Sequence, residues 1–93
     1  KKLIICSDLK KEIELFDKKK IGVISFMNNF SEKEYFIKNL SEKGDLKEAA
    51  KNLYKLFREF DKSDVDIILI EKVPSIGIGK AINDKIKKAS FKS

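Results

Sequence analysis

Apolar and polar positions alternate along this chain in blocks that change period, and the blocks predict seven elements. Lys2 to Cys6 holds the apolar run Leu3-Ile4-Ile5-Cys6 and starts a strand. Ser7 or Asp8 can cap the helix that follows, with Leu9, Ile13 and Phe16 at helical spacing and the run Lys18-Lys19-Lys20 at its end, where cations suit the negative pole. Ile21 to Phe26 is apolar apart from Ser25 and predicts a buried strand. Met27 to Lys33 is a loop rich in Asn and Ser, and Glu34 to Leu40 alternates as an edge-type strand does. Gly44 breaks the chain. Asp45, with Glu48 three residues on, forms a capping-box pattern ahead of the stripe Leu46, Ala49, Ala50, Leu53, Leu56, Phe57 and Phe60. Asp66 to Glu71 contains Ile67-Ile68-Leu69-Ile70 and predicts another buried strand. After the loop Val73-Pro74-Ser75, a closing helix runs from Gly77 to Ala89, with Ile78, Ile82, Ile86 and Ala89 on one face.

Strands alternating with helices predict an α/β fold: a small Rossmann-like three-layer domain, its mostly parallel sheet of about four strands flanked by helices. The strand at Glu34 to Leu40 is the one whose direction stays open, and an antiparallel run there fits equally. No repeat, linker or change of composition divides residues 1–93, so one domain is expected. The first residue is Lys1 and an apolar strand begins at once, which suits a piece of a longer protein or a renumbered one.

Composition narrows the chemistry. The net charge is +6, from 21 Lys+Arg against 15 Asp+Glu; twenty of those cations are lysine and Arg58 is the only arginine. Phosphate sites favour the two-pronged guanidinium. Lysines spread through every segment instead describe a solvated surface, with a basic face for RNA or membrane as the competing reading. The single Cys6 sits in an apolar run as a small hydrophobe and cannot form an internal disulfide. No stretch reaches the ~20 apolar residues of a membrane span and no signal peptide is visible, so a cytoplasmic location is expected.

The chain has no histidine, the commonest general base and metal ligand near neutral pH. With one cysteine, a zinc site of thiolate or imidazole is excluded. The carboxylates sit beside lysines, as at Glu12, Glu14, Glu32 and Glu34, and predict a charged surface without a cleft between paired acids. Met27, Tyr35, Tyr54 and the seven phenylalanines fit core positions; Tyr35 and Phe36, beside Lys33 and Lys38, are the local candidates for stacking on RNA bases. Gly77-Ile78-Gly79 follows a strand and opens a helix, a place where backbone N–H groups can meet an anion. It lacks the third glycine of the dinucleotide fingerprint and the Lys-Ser/Thr of a phosphate loop. The structural alternative is that Gly77 supplies a positive φ and Gly79 allows close packing.

Three blocks then carry a resemblance. Ala50-Lys51-Asn52-Leu53-Tyr54 with Phe57-Arg58-Glu59-Phe60-Asp61 follows "A-x-N-L-Y…L-R-x-L-D", Phe replacing Leu twice. Val65 to Glu71 follows "V-D-x-I-x-x-E", and Gly77 to Ala89 follows "G-x-G-x-A-I-x-D/N-R-L-x-R-A". From Ala49 to Ala89 the chain resembles the C-terminal accessory domain of the two-domain, YrdC-type L-threonylcarbamoyladenylate synthases. The first half fits more loosely, Ile21 to Phe26 falling where the family has a "G-x-L-x-F" strand. Lys85 and Lys88 stand where the family usually has arginine, which keeps the charge and loses the two-pronged pairing of a guanidinium.

The resemblance implies a parent nucleotidyltransferase that joins threonine, bicarbonate and ATP into threonylcarbamoyl-AMP and pyrophosphate for tRNA threonylcarbamoyladenosine modification. It places ATP with Mg2+, and threonine, in a YrdC-type catalytic domain upstream of Lys1, and gives this chain no catalytic, cofactor or metal residue. That catalytic domain of the same polypeptide is the expected partner, with tRNA or other modification-pathway proteins as further ones and no membrane. This chain would be a lid or docking domain. Gly77, Gly79, Asn83, Asp84 and Lys85 are its candidate interdomain or anion contacts, with plain helix solvation competing at Asn83 and Asp84. The rival reading is a free-standing α/β module that binds nucleotide or tRNA through the GxG helix start and the lysines.

Overall fold

The short segments around Leu3, Val23, Ile37 and Leu69 become strands of a sheet that is parallel throughout, and the two central ones bury both faces of the pleat. The computed structural model describes residues 1–17, 20–27 and 36–92. Its elements are β1 (Lys2–Ile5), α1 (Leu9–Ile13), β2 (Ile21–Ser25), β3 (Phe36–Asn39), α2 (Leu46–Lys62), β4 (Ile67–Ile70) and α3 (Ile78–Lys92). The strand order is β1-β4-β2-β3, with Ile5 opposite Ile70 and Ile24 opposite both Ile70 and Lys38.

Alternate residues of the strands feed two cores. Leu3, Ile24, Ile68 and Ile70 pack with Leu53, Phe60, Ile82 and Ile86, so α2 and α3 cover one face. Ile21, Val23 and Leu69 pack with Leu9 and Ile13 of α1 on the other. The chain crosses the sheet one way through α1 and back through α2, and the two helices lie on opposite faces, as crossovers of a single hand require. The α/β expectation, three layers around four strands, is met.

Local details depart from the sequence expectation. β3 is an edge strand, as β1 is on the other side, and it runs parallel, its pairing with β2 continued by Leu40 N–H to Ser25 O at 2.8 Å and Ser41 N–H to Phe26 O at 2.9 Å. Burial of Leu40, which is fully enclosed, holds that register. Residues 34 and 35 of the expected strand lie outside the described residues.

The first helix is only five residues long. Beyond Ile13 the N–H groups of Glu14, Leu15 and Phe16 turn back to the carbonyls three residues earlier, a tightened ending. Phe16 still packs on the α1 core, but from outside the helix. α1 therefore ends before the lysine run is reached: Lys20 O accepts from Asp66 and Ile67 N–H beside β2, and Lys18 and Lys19 lie outside the described residues.

At α2, Asp45 caps as expected, accepting from Lys47 N–H at 2.9 Å. The reciprocal bond of the capping box goes elsewhere, since Asp45 N–H donates to Ser41 Oγ at 2.9 Å rather than to Glu48. Asn52, the seventh residue of α2, donates to Leu40 O at 2.8 Å and ties the preceding loop to the helix. At the far end Lys1 Nζ donates to Phe60 O at 2.7 Å and to Ser63 O, a cation at the carbonyl end of α2. α3 outlasts its expected end at Ala89.

Not every expected core residue is inside. Met27, Tyr54 and Phe91 are exposed; Tyr54 lies under Lys85, whose Nζ is 5.3 Å from the ring centre. Phe36 is used in packing against Phe60, so it is no free stacking platform, while Lys33 and Tyr35 lie outside the described residues.

Candidate functional site

Parallel strands deliver their loops to one edge of the sheet, and the helix that leaves β4 begins there with Gly77-Ile78-Gly79. Gly77 has φ 53°, a left-handed turn that side chains with a Cβ resist. A Cβ on Gly79 would collide with the Pro74 carbonyl oxygen and sit 3.5 Å from Leu46 Cδ1, so this glycine lets the first turn of α3 close on the loop and on α2. The Gly79→Ala variant is accordingly expected to lose about 1–3 kcal/mol of unfolding free energy, measured by urea titration. A loss below about 0.5 kcal/mol, within the range of an ordinary surface change, would mean the loop yields.

Asn83 holds the same loop from within. Its Oδ1 accepts from Val73 N–H at 2.9 Å, and its Nδ2 donates to Val73 O at 2.7 Å and to Ser75 Oγ at 2.8 Å. The side chain thus imitates a strand partner for Val73, and it is buried. Helix solvation does not describe it. Asp84 pairs along the helix with Lys88 at 3.1 Å, both well exposed, and Lys85 lies over Tyr54. Of the five candidate residues, Gly77, Gly79 and Asn83 meet around the Val73–Ser75 loop; Asp84 and Lys85 sit on the outer side of α3.

The turn is a poor anion cradle. Gly79 N–H donates to Ile76 O at 2.9 Å and Lys80 N–H to Gly77 O at 3.2 Å, so donors that a phosphate would need are turned inward. In front of the turn lies instead an apolar depression of about 570 Å³, lined by Asp45, Leu46, Lys47, Ile76, Gly77 and Ile78. Ile76 is 67% exposed and Ile78 43%. Ile78 was expected on the packed face of α3; at the first position of the helix it joins neither core of the described residues. Ile76 has no partner in any periodic stripe, the one sequence signal that could have marked it.

A second, more polar cleft of about 360 Å³ opens where β1 and β4 end side by side, lined by Ile5, Cys6, Ser7, Glu12, Glu71 and Lys72. Their chains leave to opposite faces there, through α1 and α3. The expectation of no cleft between carboxylates is thus corrected, because sheet order joins Glu12 to Glu71 across 59 positions of sequence. Both acids have structural work: Glu71 accepts from Phe26 N–H at 2.8 Å, and Glu12 from Asp8 N–H at 3.3 Å. Among the described residues no three His, Cys, Asp or Glu side chains converge as metal ligands.

Burial, reinforced by the negative charge of Glu12 and a hydrogen bond to it, pushes the Cys6 thiol from an ordinary 9.0 up to about 12. The folded state therefore favours the neutral thiol. Its contribution to stability is complete below the unfolded value and is lost as pH rises from about 9 towards 12. Native protein at pH 8 is expected to react with a thiol reagent far more slowly than urea-unfolded protein, followed by absorbance; equal rates would contradict the buried, protonated thiol.

A family model described as "Threonylcarbamoyl-AMP synthase, C-terminal domain" matches residues 1–90. The chain belongs to this family. It is 35% identical over 72 residues to the threonylcarbamoyl-AMP synthase of Pyrococcus abyssi, a match covering 77% of this chain and 20% of that protein. It is 34% identical over 55 residues to the Bacillus subtilis synthase, covering 59% of this chain and 16% of the relative. The crystal structure of P. abyssi Sua5 complexed with L-threonine superposes with a TM-score of 0.76 at 30% identity, over 97% of this chain and 28% of that one. The chain spans well under a third of the length of each relative. Its four-stranded parallel sheet and three helices are the threonylcarbamoyl-AMP synthase C-terminal fold, and the resemblance of Ala49 to Ala89 extends to nearly the whole chain. Among the described residues no helix is long and apolar enough to cross a membrane.

Proposed function

We propose that this domain is the non-catalytic lid or docking unit of a threonylcarbamoyl-AMP synthase acting in the cytoplasm, whose chemistry lies in a YrdC-type domain of the same polypeptide. One observation carries the reading: residues 1–90 match the C-terminal domain of synthases of which this chain spans only 16–28%. The parent would join threonine, bicarbonate and ATP, with Mg2+, into threonylcarbamoyl-AMP for tRNA modification. The geometry here suits a docking role, because the site edge presents fixed loops and apolar side chains. The role of this chain's residues is positional: Gly77, Gly79 and Asn83 hold the edge in one shape that a neighbouring domain can rest on, through the several hundred Å² per side usual within a chain.

The full-length gene product should form threonylcarbamoyl-AMP and pyrophosphate from the three substrates, assayed by chromatography of radiolabelled product. Cutting the chain ahead of Lys1 should lower that rate, and the released domain should turn nothing over. An unchanged rate without the domain overturns the lid reading, and turnover by the domain alone overturns the non-catalytic one. The nucleotide- or tRNA-binding alternative is served poorly by a turn whose Gly79 and Lys80 N–H groups are engaged. Titration of the isolated domain with ATP and with tRNA at two salt concentrations separates it: saturable ATP binding or steeply salt-dependent tRNA binding would speak for that module.

A further inference from the structure

We propose that the solvent side of α2 is a contact surface for the phosphate backbone of an RNA, with Lys47, Lys51, Lys55, Arg58 and Lys62 as its cations. The inference goes beyond the lid or docking reading. It concerns the length of α2 rather than the loops at the strand ends, and only Lys47, the first cation of the row, stands near that edge.

Lysines are spread along the sequence, yet helical geometry gathers these five cations. They follow one another at intervals of four, four, three and four residues. That spacing aligns them within about 80° of the helix surface over a length of about 22 Å. Ala49, Leu53, Leu56 and Phe60 form the buried side of α2, and the cations lie opposite, all exposed. Glu48, Glu59 and Asp61 fall on the flanks of the row. Among the described residues none of the five cations is held in an ion pair. Tyr54, 49% exposed, shares this face, and Lys85 of α3 brings a further cation to 5.3 Å from its ring.

Such a row works against the helix that carries it. Each successive pair along it is a like-charge pair at i,i+3 or i,i+4, and such pairs repel. Lys47 also puts a cation at the positive pole of α2, where acids are favoured. α3 shows the neutralised arrangement, Asp84 standing four residues before Lys88 and paired with it. A polyanion laid along α2 relieves all of these repulsions together, so charge complementarity names the chemistry of the partner.

What accompanies the charge selects the polyanion. The apolar residues of α2 are committed to the core, so the helix has no apolar face to sink into a lipid surface. Lysine is depleted in the cores of protein–protein contacts, whereas nucleic-acid interfaces are strongly cationic. Four lysines and one arginine act chiefly as point charges, suited to phosphates and blind to base sequence. The choice of RNA over DNA rests on the reading that the parent serves tRNA modification; the basic row does not depend on it.

The full-length protein is titrated with a fluorescently labelled tRNA transcript over a range of salt concentrations. Five phosphate contacts predict a log–log slope of about −3.5 to −4.5. Lys51→Gln, Lys55→Gln and Arg58→Gln combined should flatten that slope by about two to three and weaken binding at least about tenfold near physiological salt. Lys10→Gln, Lys11→Gln and Lys20→Gln combined remove equal charge on the α1 side and should weaken it less than about threefold. All six side chains are exposed, so folding should survive, checked by circular dichroism. Salt dependence is shared with a module that binds through the GxG turn, so position decides. Lysine acetylation read by mass spectrometry should show Lys51, Lys55 and Lys62 protected by tRNA, and Lys80, beside the turn, unprotected. Absence of binding, equal affinities of the two triple variants, or protection at Lys80 in place of the α2 lysines overturns the proposal. So does preference for duplex DNA or for phosphatidylglycerol vesicles over tRNA at equal salt. Threonylcarbamoyl-AMP synthesis measured without tRNA reports on the parent reading, so its failure is distinguishable from a wrong RNA surface.

Discussion

Replacing Phe60 with alanine is expected to remove about 3–5 kcal/mol of unfolding free energy, against about 5–15 kcal/mol for a whole small domain. The ring is fully buried and lies 4.4 Å from that of Phe36, tilted by 34°. It occupies the space a side chain would take at Gly22, where a Cβ would collide with the ring. The helix and the sheet therefore interlock there: the missing side chain on β2 is filled by the ring from α2. Gly22 has nothing to extend into the cavity left by alanine, and Phe36 is held in β3. Urea unfolding followed by circular dichroism measures the loss. A loss under about 1 kcal/mol would show that α2 is not anchored through this ring.

Asn83→Ala is the second large effect, expected at about 2–4 kcal/mol from the unpaired N–H and C=O of Val73, groups that each cost about 1–3 kcal/mol when buried without a partner. Val73 itself is buried, so water reaches those groups only if the loop opens. Hydrogen exchange gives a local signature: the Val73 amide should lose protection well beyond that of the α2 amides, which report global unfolding. A uniform loss across the chain would point to a general packing defect instead. In the full-length protein the same variant should lower synthesis by loosening the Ile76 edge, while Asp84→Ala, which breaks only an exposed pair with Lys88, should leave it unchanged.

These residues also show where sequence reading succeeds. The stripe from Leu46 to Phe60 and the Asp45 cap were legible because both depend on neighbours within a few positions. The same holds for Gly77 and Gly79, where a turn and a close approach are local demands. Asn83 was legible as a candidate but not as a clamp, since nothing in the sequence says that position 83 faces position 73. Glu12 looked like a surface acid and Glu71 like the end of a strand until the strand order brought the end of β1 beside the end of β4. The parallel direction of β3 was equally hidden: alternation shows which face a residue takes, and both directions use the same alternation.

Taken alone, then, the amino-acid order determined the layers, the strand and helix segments, the helix starts and the family blocks, all set by short-range periodicity and backbone preference. The tertiary structure decided the strand order β1-β4-β2-β3, the direction of β3, the early end of α1 and the outward placing of Ile76 and Ile78. Those features depend on which distant segments share the core. An isoleucine is buried or exposed according to whether a partner lies opposite it, and at the sheet edge around Gly77 the described residues supply none.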